Sequence, residues 1–290
     1  MNALMKEIRL AFGMSQTEFA DLLGSKYATV NRWENGHNRP GSKTQERILE
    51  LCLERGFPVF DIVMKNIMAQ IDEVQPEAGR ILLYHGSKSG LQGEIQPRAR
   101  KQCDFGSGFY MGTDPMQPLT LICDFEDAKF YVVSIEIKNL SVLDVPADLN
   151  WAFLVAYHRG KMNNIKGSTF YEKYAAMMNG CDVIIGSIAN DRMFVVLDDF
   201  FKGNITDIAL VQSLSALELG RQYVAISEAG CRNVRVEKEI PLTYFEKQVL
   251  KIKSDENREM GVSLAEEICR KYRREGHYFD EILEQSREVK

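Results

Sequence analysis

The chain has no long apolar run and few of the residues that mark unusual protein classes. Its apolar residues, 45% of the total, occur in short stretches such as 152–157 and 193–197, far below the roughly 18 residues that span a bilayer. The 21 glycines and 8 prolines are too few for a linker-rich or collagen-like chain. We therefore expect no membrane span, and about two globular domains for 290 residues.

Metal ligands and basic residues are also sparse. The six cysteines are scattered without a C-x-x-C pair, which argues against a zinc site or a disulfide framework and predicts buried thiols without a metal. The 36 Lys/Arg against 41 Asp/Glu give a net charge of −5, so any DNA contact must be local. The N-terminus shows no secretory pattern, so a cytoplasmic location is expected.

Helical periodicity dominates residues 1–58, where apolar residues recur every three or four positions. Gly13 and Gly24 follow two of these stretches at positions typical of helix ends. Ser15 and Glu18 form a capping-box pattern, and Ser42 is the expected cap of the last helix. The spacing predicts an all-α domain of four short helices, at residues 2–12, 15–23, 26–34 and 43–55.

Two segments of this domain carry a resemblance. Residues 14–24 read M-S-Q-T-E-F-A-D-L-L-G, and residues 28–36 read A-T-V-N-R-W-E-N-G. Together they resemble the helix-turn-helix of phage-repressor and Xre-type regulators, which implies a DNA-binding domain over residues 1–58. The alternative is a four-helix unit that serves only for packing or dimerisation.

The resemblance also implies which residues contact DNA. Gln16, at the start of the second helix, would touch a backbone phosphate. The third helix would enter the major groove and present four residues: Lys26, Tyr27, Ala28 and Arg32. Arg32 is the expected base reader, because a guanidinium can bond guanine O6 and N7. One copy offers few specific donors, so we expect a homodimer on DNA.

The pattern changes after a connecting segment. Residues 59–79 combine a helical period with a break at Pro76–Gly79, so we predict a connecting helix and linker. Residues 80–250 show short alternating runs with helical stretches between them, which predicts a mixed α+β domain. We expect strands at residues 81–85, 108–111, 129–136, 182–185, 193–197, 221–226 and 234–239. We expect helices at residues 115–124, 149–158, 171–178 and 206–220, and a helical tail at 251–290 for packing or partner binding.

Two segments of the α+β domain have the composition of a ligand pocket. Residues 84–87 read Y-H-G-S at the end of a predicted strand, and residues 104–110 read D-F-G-S-G-F-Y ahead of the next. A histidine, a glycine-rich approach and a tyrosine can frame a flat ring between main chain and an aromatic face. Taken singly, the same residues fit a core histidine, a core aromatic and a turn.

In this order the two segments resemble the first two strands of ADP-ribosyltransferase domains. They are closest to an uncharacterised bacterial branch that also has a D-x-x-x-G-x-x-A-N-D segment, present at residues 182–191, and a Q-Y-V strand, present at residues 222–224. The resemblance implies a split β-sheet and NAD as the substrate, with no metal.

The same resemblance implies roles for individual residues. His85 would bond the ribose next to nicotinamide, Gly86 would meet the nicotinamide amide through its main chain, and Ser87 would complete this part of the cofactor site. Tyr110 would stack on the nicotinamide ring. Arg159 is the expected partner of the pyrophosphate because of its charge.

Gln222 stands where many of these transferases have a glutamate on a late strand. Its amide oxygen can orient a ribose hydroxyl but cannot neutralise positive charge. We expect Gln222 to be catalytic together with His85 and Tyr110, and Gln222→Glu to retain or raise turnover. The roles of Asn190 and Asp191 stay open between a site and a turn or helix cap.

Two functions follow from these motifs. The first is an NAD-dependent mono-ADP-ribosyltransferase or NAD glycohydrolase with its own DNA-binding module, whose ADP-ribose acceptor is a protein or a nucleic acid. As a toxin-like effector it would have an antitoxin partner. The second is a DNA-binding transcriptional regulator whose weak or inactive second domain senses NAD or a related nucleotide. Gln222 favours the regulator, whereas His85 and Tyr110 favour the enzyme.

Overall fold

The computed structural model describes residues 2–98, 103–188, 191–216 and 220–288. It begins with five helices: α1 (Asn2–Ala11), α2 (Gln16–Leu22), α3 (Tyr27–Glu34), α4 (Ser42–Glu54) and α5 (Val59–Asp72). The four short helices and the connecting helix are thus confirmed.

Local signals explain most of these helix ends. The capping box of Ser15 and Glu18 is present, and Gly13 and Gly24 adopt the left-handed conformation with φ of 67° and 59°. The predicted cap at Ser42 is wrong. Gly41 holds the cap position of α4 without a side-chain hydrogen bond, and Ser42 is already the first helical residue.

One seven-stranded sheet follows, in the order β4-β5-β6-β2-β1-β3-β7. Its strands are β1 (Ile81–Ser87), β2 (Phe109–Gly112), β3 (Lys129–Ile135), β4 (Val142–Val145), β5 (Val183–Ser187), β6 (Arg221–Ala225) and β7 (Val234–Pro241). All neighbours are antiparallel except β4 and β5. β1 and β2 share one register pair, Tyr84 with Gly112, whereas β1 pairs with β3 along its whole length. The sheet therefore consists of two halves that meet at a narrow seam between β1 and β2.

Helices cover the sheet, which confirms the α+β class. They are α6 (Met116–Ile122), α7 (Leu149–His158), α8 (Thr169–Ala176), α9 (Asp191–Phe201), α10 (Asp207–Ala216), α11 (Glu228–Arg232), α12 (Tyr244–Tyr272) and α13 (Phe279–Glu288), with a 3₁₀ turn at Asn163–Ile165. None of the helices in the described ranges combines the length and apolar character needed to cross a membrane.

The predicted strand at residues 193–197 is wrong, because this segment lies inside α9. Met193, Val196, Leu197 and Phe200 are buried at helical spacing, so the apolar period of the whole helix outweighs its β-branched centre. The four-residue strand β4 was not predicted from the sequence. Its alternation is too short to register as a pattern.

One apolar core joins the N-terminal helices to the rest of the chain. Phe245, Val249 and Leu250 of α12 pack in the same buried cluster as residues of α1 to α5. Gln45 of α4 is 7% exposed and accepts a hydrogen bond from the main-chain N–H of Phe245 at 2.9 Å. α12 therefore begins at the contact with the helix-turn-helix and runs on into the predicted tail.

The two faces of the sheet carry separate cores. One face packs against α7, α9 and α10 around Trp151, Phe200 and Val224. The opposite face buries Leu83, Phe109 and other strand residues. Side chains that alternate along one strand therefore enter different environments.

Candidate functional site

The third helix presents the predicted DNA contacts to solvent. Val30 and Trp33 are buried against the neighbouring helices. The opposite side of α3 and the residue before it expose all four predicted major-groove residues: Lys26, Tyr27, Ala28 and Arg32. The sheet region contacts α4 and α5 through α12, and these four residues stay exposed in the full chain.

Gln16 has a structural role that the sequence did not indicate. Its Nε2 donates to Glu34 at 2.7 Å, and its Oε1 accepts from Asn31 Nδ2 at 3.2 Å. Glu34 also binds Arg9 of α1, at 2.5 Å. Gln16 thereby fixes α2 to α3. An amide nitrogen carries two hydrogens, so one stays available for the predicted phosphate contact.

His85 lies at the seam between the two halves of the sheet. Its Nδ1 is 2.7 Å from the main-chain oxygen of Tyr110. Since a carbonyl oxygen only accepts, Nδ1 carries the proton and Nε2 carries the lone pair. Burial lowers the pKa of His85, although the bond to Tyr110 opposes this effect. His85 is therefore a neutral ring whose Nε2, without a partner among the described residues, can accept a hydrogen bond.

The side chain of Tyr110 points to the other face of the sheet. The ring of His85 stacks on Phe109 with centroids 4.2 Å apart, and Phe109 and Tyr110 alternate along β2. Tyr110 lies opposite Val224, and two residues further Gly112 lies opposite Gln222. Tyr110 and Gln222 consequently share a face, while His85 is linked to them through the main chain of Tyr110.

The glycine-rich loop before β2 holds the phenol of Tyr110. Its hydroxyl donates to the oxygen of Gly106 at 2.8 Å and accepts from the main-chain N–H of Phe105 at 3.0 Å. Burial raises the pKa of this phenol. Gly106 has φ of 70°, a conformation that favours glycine. The loop and the tyrosine therefore fix each other.

The same loop brings a carboxylate to Gln222. Asp104, only 5% exposed, accepts from Gln222 Nε2 at 2.8 Å and from Arg159 Nε at 3.1 Å. Arg159 Nη2 makes a second, shorter contact with it. Gln222 Nε2 also donates to the oxygen of Ser187 at 3.1 Å. The structure thus brings Gln222 and Arg159 together through Asp104, a residue that the sequence motifs did not assign to the site.

Gly86 and Ser87 complete the end of β1. A Cβ at Gly86 would lie 2.7 Å from Ile122 and 2.8 Å from the oxygen of Pro118, so α6 packs directly on its main chain. Ser87 is the last residue of β1 and pairs with Lys129. A ligand that contacts the main chain of Gly86 must approach from the side away from α6.

An open cavity of about 320 Å³ borders the same glycine-rich loop. It is lined by Phe105, Gly106, Ser107, Tyr157, His158, Ala175, Met178, Asn179 and Ile226. The Nε2 atom of His158 is buried without a hydrogen-bond partner among the described residues. Burial lowers the pKa of His158 to about 4, so this ring is neutral near pH 7.

The sequence also left open the roles of Asn190 and Asp191 and predicted no metal site. Asn190 lies outside the described residues, and Asp191 is the first residue of α9, so their roles stay open. Within the described part of the chain, no group of three or more histidines, cysteines or carboxylates is arranged to hold a metal ion.

Two family models match the chain. Residues 5–52 match the family described as Helix-turn-helix, and residues 81–235 match the family described as Protein of unknown function (DUF3990). No curated protein and no solved structure matches it. The second match covers more than half of the 290 residues and contains β1, β2 and β6. The chain therefore carries a helix-turn-helix module for DNA binding and belongs to the DUF3990 family.

Proposed function

We propose that the chain is an NAD-dependent mono-ADP-ribosyltransferase or NAD glycohydrolase whose helix-turn-helix holds it on DNA. The proposal is carried by one observation: Nε2 of His85 is a hydrogen-bond acceptor at the seam between β1 and β2. Nδ1 of His85 donates to Tyr110, so Nε2 is held in one orientation. A ribose hydroxyl can donate a hydrogen bond to this nitrogen. The Y-H-G-S and D-F-G-S-G-F-Y segments meet at this point.

The chemistry is the rupture of the bond between ribose C1′ and the nicotinamide nitrogen. Nicotinamide leaves with the electron pair, and positive charge develops on the ribose, as in glycoside hydrolysis. An acceptor nucleophile or water then forms the new bond to C1′ and releases its proton to solvent. His85 would orient a ribose hydroxyl from its side of the seam, and Gln222 and Tyr110 would contact the ligand from the other face of the sheet. Holding the reacting groups in place supplies much of the rate in such a site.

The DNA-binding module would restrict where this chemistry occurs. Since the recognition surface is exposed in the whole chain, a homodimer can bind DNA while the second region keeps its site. Acceptors near the bound DNA, protein or nucleic acid, would then be favoured. A toxin-like role would require an antitoxin that prevents the binding of NAD or of the acceptor.

Labelled NAD tests the proposal. The purified full chain is incubated with NAD labelled in the ADP-ribose part, with and without cell extract, and released nicotinamide is measured. The label should enter protein, nucleic acid or free ADP-ribose. His85→Ala should lower the release at least about tenfold, whereas His277→Ala, at an exposed histidine of the tail, should not. A wild-type chain that binds NAD without releasing nicotinamide contradicts the enzyme.

The shared core favours a second function, a DNA-binding regulator that senses NAD. Because α12 contacts α4 through Phe245 and Gln45, a ligand that shifts the sheet region also acts on the helix-turn-helix. This function predicts that NAD changes DNA affinity without nicotinamide release. An enzyme that is only held on DNA predicts release with DNA affinity unchanged.

A further inference from the structure

We propose that Asp104, itself held by Arg159, positions the side-chain amide of Gln222 so that its oxygen can orient a ligand hydroxyl. This inference rests on the proposed function, since it assigns the parts of that same site. Asp104 lies in the loop before β2, and Gln222 lies 118 residues later in the chain. Their contact is a product of the fold, and neither segment alone indicates it.

The hydrogen bonds of Gln222 fix the direction of its amide. Nε2 has two hydrogens, and it donates to Asp104 at 2.8 Å and to the oxygen of Ser187 at 3.1 Å. Both partners only accept in this state, so the nitrogen end of the amide must face them. The oxygen Oε1 is turned away from both and has no donor among the described residues. It is therefore free to accept from a ligand hydroxyl.

Asp104 is itself held in place. Its other oxygen accepts from Arg159 Nε at 3.1 Å and from Arg159 Nη2, and its side chain is 6% exposed. A buried carboxylate of this kind needs charged and hydrogen-bonding partners. Arg159 bonds one oxygen of the carboxylate and Gln222 bonds the other. In this arrangement Arg159 serves the carboxylate, which is a different task from the pyrophosphate contact expected from its charge.

The arrangement explains why position 222 has an amide. A carboxylate there would place an oxygen about 2.8 Å from the Asp104 carboxylate and about 3.1 Å from the oxygen of Ser187. Two carboxylates that close do not both ionise, because like charges repel. We therefore reverse the expectation from the sequence: Gln222→Glu alone should lower turnover while Asp104 is present.

A charge exchange between the two positions is the test. Nicotinamide release by the full chain is measured for Asp104→Asn, for Gln222→Glu and for the double variant, with Asp61→Asn at an exposed site as control. Each single change should lower kcat roughly 10- to 100-fold, with KM for NAD within about twofold, because orientation and not binding is lost. The double variant should lose less activity than the two single losses combined, since an amide at 104 can donate to a carboxylate at 222, although that carboxylate still faces the oxygen of Ser187.

Two kinetic results would overturn the proposal. One is an Asp104→Asn chain with wild-type kcat, and the other is a double variant that shows only the combined loss of its two single changes. The Asp61→Asn control should retain the wild-type kcat and KM.

A second measurement does not depend on activity. The side-chain amide hydrogens of Gln222, identified in the NMR spectrum by their loss in Gln222→Ala, should exchange slowly with solvent in the wild-type chain. They should exchange at least about tenfold faster in Asp104→Asn, because one acceptor is lost. Fast exchange in the wild-type chain overturns the positioning role. Slow exchange without nicotinamide release would instead reject the proposed enzyme and keep the pairing of Asp104 with Gln222.

Discussion

The two regions that carry functional residues place them in opposite surroundings. In the helix-turn-helix the predicted DNA contacts are exposed, and Tyr27 shows 53% of its surface. In the sheet region Asp104 and Gln222 show 5% each. The first region presents side chains that reach outward from a single helix and the residue before it. The second holds polar groups that are fixed by one another in the interior, and a group held in this way loses its hydrogen bond when its partner is removed.

The two regions nevertheless share an apolar core. The largest predicted effect, the loss of stability in Phe245→Ala, tests whether this core makes them unfold together. Phe245 is fully buried between the N-terminal helices and the sheet region. Phe245→Ala should lower the free energy of unfolding by about 3 to 5 kcal/mol, because a large cavity forms. The loss should appear in both regions. Denaturant unfolding, followed by circular dichroism, measures it.

The two tryptophans allow the regions to be observed separately. Trp33 reports on the helix-turn-helix and Trp151 on the sheet region, and the chain has no other tryptophan. In Trp33→Phe and Trp151→Phe chains, the fluorescence transitions should coincide and should shift together when Phe245→Ala is added. Met260→Ala, 62% exposed on α12, should change stability by less than about 0.5 kcal/mol. Separate transitions would show that the regions unfold independently.

The second predicted effect is the pH dependence of stability that arises from His158, a largely buried histidine at the end of α7. Burial lowers the pKa of His158 to about 4, against about 6.5 for an exposed imidazole. As the pH falls from 6.5 towards 4, the unfolded chain takes up a proton that the folded chain does not bind. The free energy of unfolding should therefore decrease, by on the order of 2 to 3 kcal/mol in total.

His158→Phe isolates this contribution from other titrating groups. It replaces a nitrogen that lacks a partner among the described residues with carbon of similar shape, so it should remove that part of the pH dependence between 6.5 and 4. His277→Phe, at an exposed histidine, is the matched control for the loss of an imidazole. Equal pH slopes for the wild-type and His158→Phe chains would mean that His158 titrates normally in the folded protein.

Sequence patterns predict nearly all of the secondary structure of the helix-turn-helix domain. The helix period, the capping box at Ser15 and the glycines after α1 and α2 are local signals, and the structure confirms them. A helical face follows from spacing alone. The exposure of Arg32 and the burial of Trp33 therefore follow from their positions along one helix.

The same patterns locate six of the seven strands of the second region, but they miss β4, place a strand inside α9 and do not give the pairings between strands. Alternation indicates β1, β2 and β6, yet it gives no register between them. The register decides that Tyr110 and Gln222 share a face and that His85 lies on the other. Asp104 is one letter of a glycine-rich loop, and no local signal distinguishes it. Its partners are 55 and 118 residues away in the chain, a distance at which no periodicity operates.

The third prediction tests DNA recognition by the helix-turn-helix alone. Arg32→Ala should cost about 1 to 3 kcal/mol of binding to the preferred DNA sequence and should relax the preference at the contacted base. Preferred sites are first selected from random duplexes with the wild-type chain; a homodimer should select palindromes with half-sites about one helical turn apart. Arg270→Ala, an exposed arginine near the end of α12, should bind as the wild type does. An unchanged preference in Arg32→Ala would remove its base-reading role.

The smallest effect lies at the exposed edge of the contact between the regions. Tyr244 of α12 donates its hydroxyl to Glu46 of α4 at 2.5 Å, one residue before the buried Phe245. Tyr244 is 37% exposed, so water replaces the lost bond in Tyr244→Phe, and stability should fall by less than about 1 kcal/mol. DNA affinity should not change. Tyr278→Phe, at a tyrosine of similar exposure in the tail, is the matched control for loss of a hydroxyl. If Tyr244→Phe instead lowers stability by more than about 2 kcal/mol, or separates the transitions seen by Trp33 and Trp151, the regions depend on this exposed bond more than on the core beneath it.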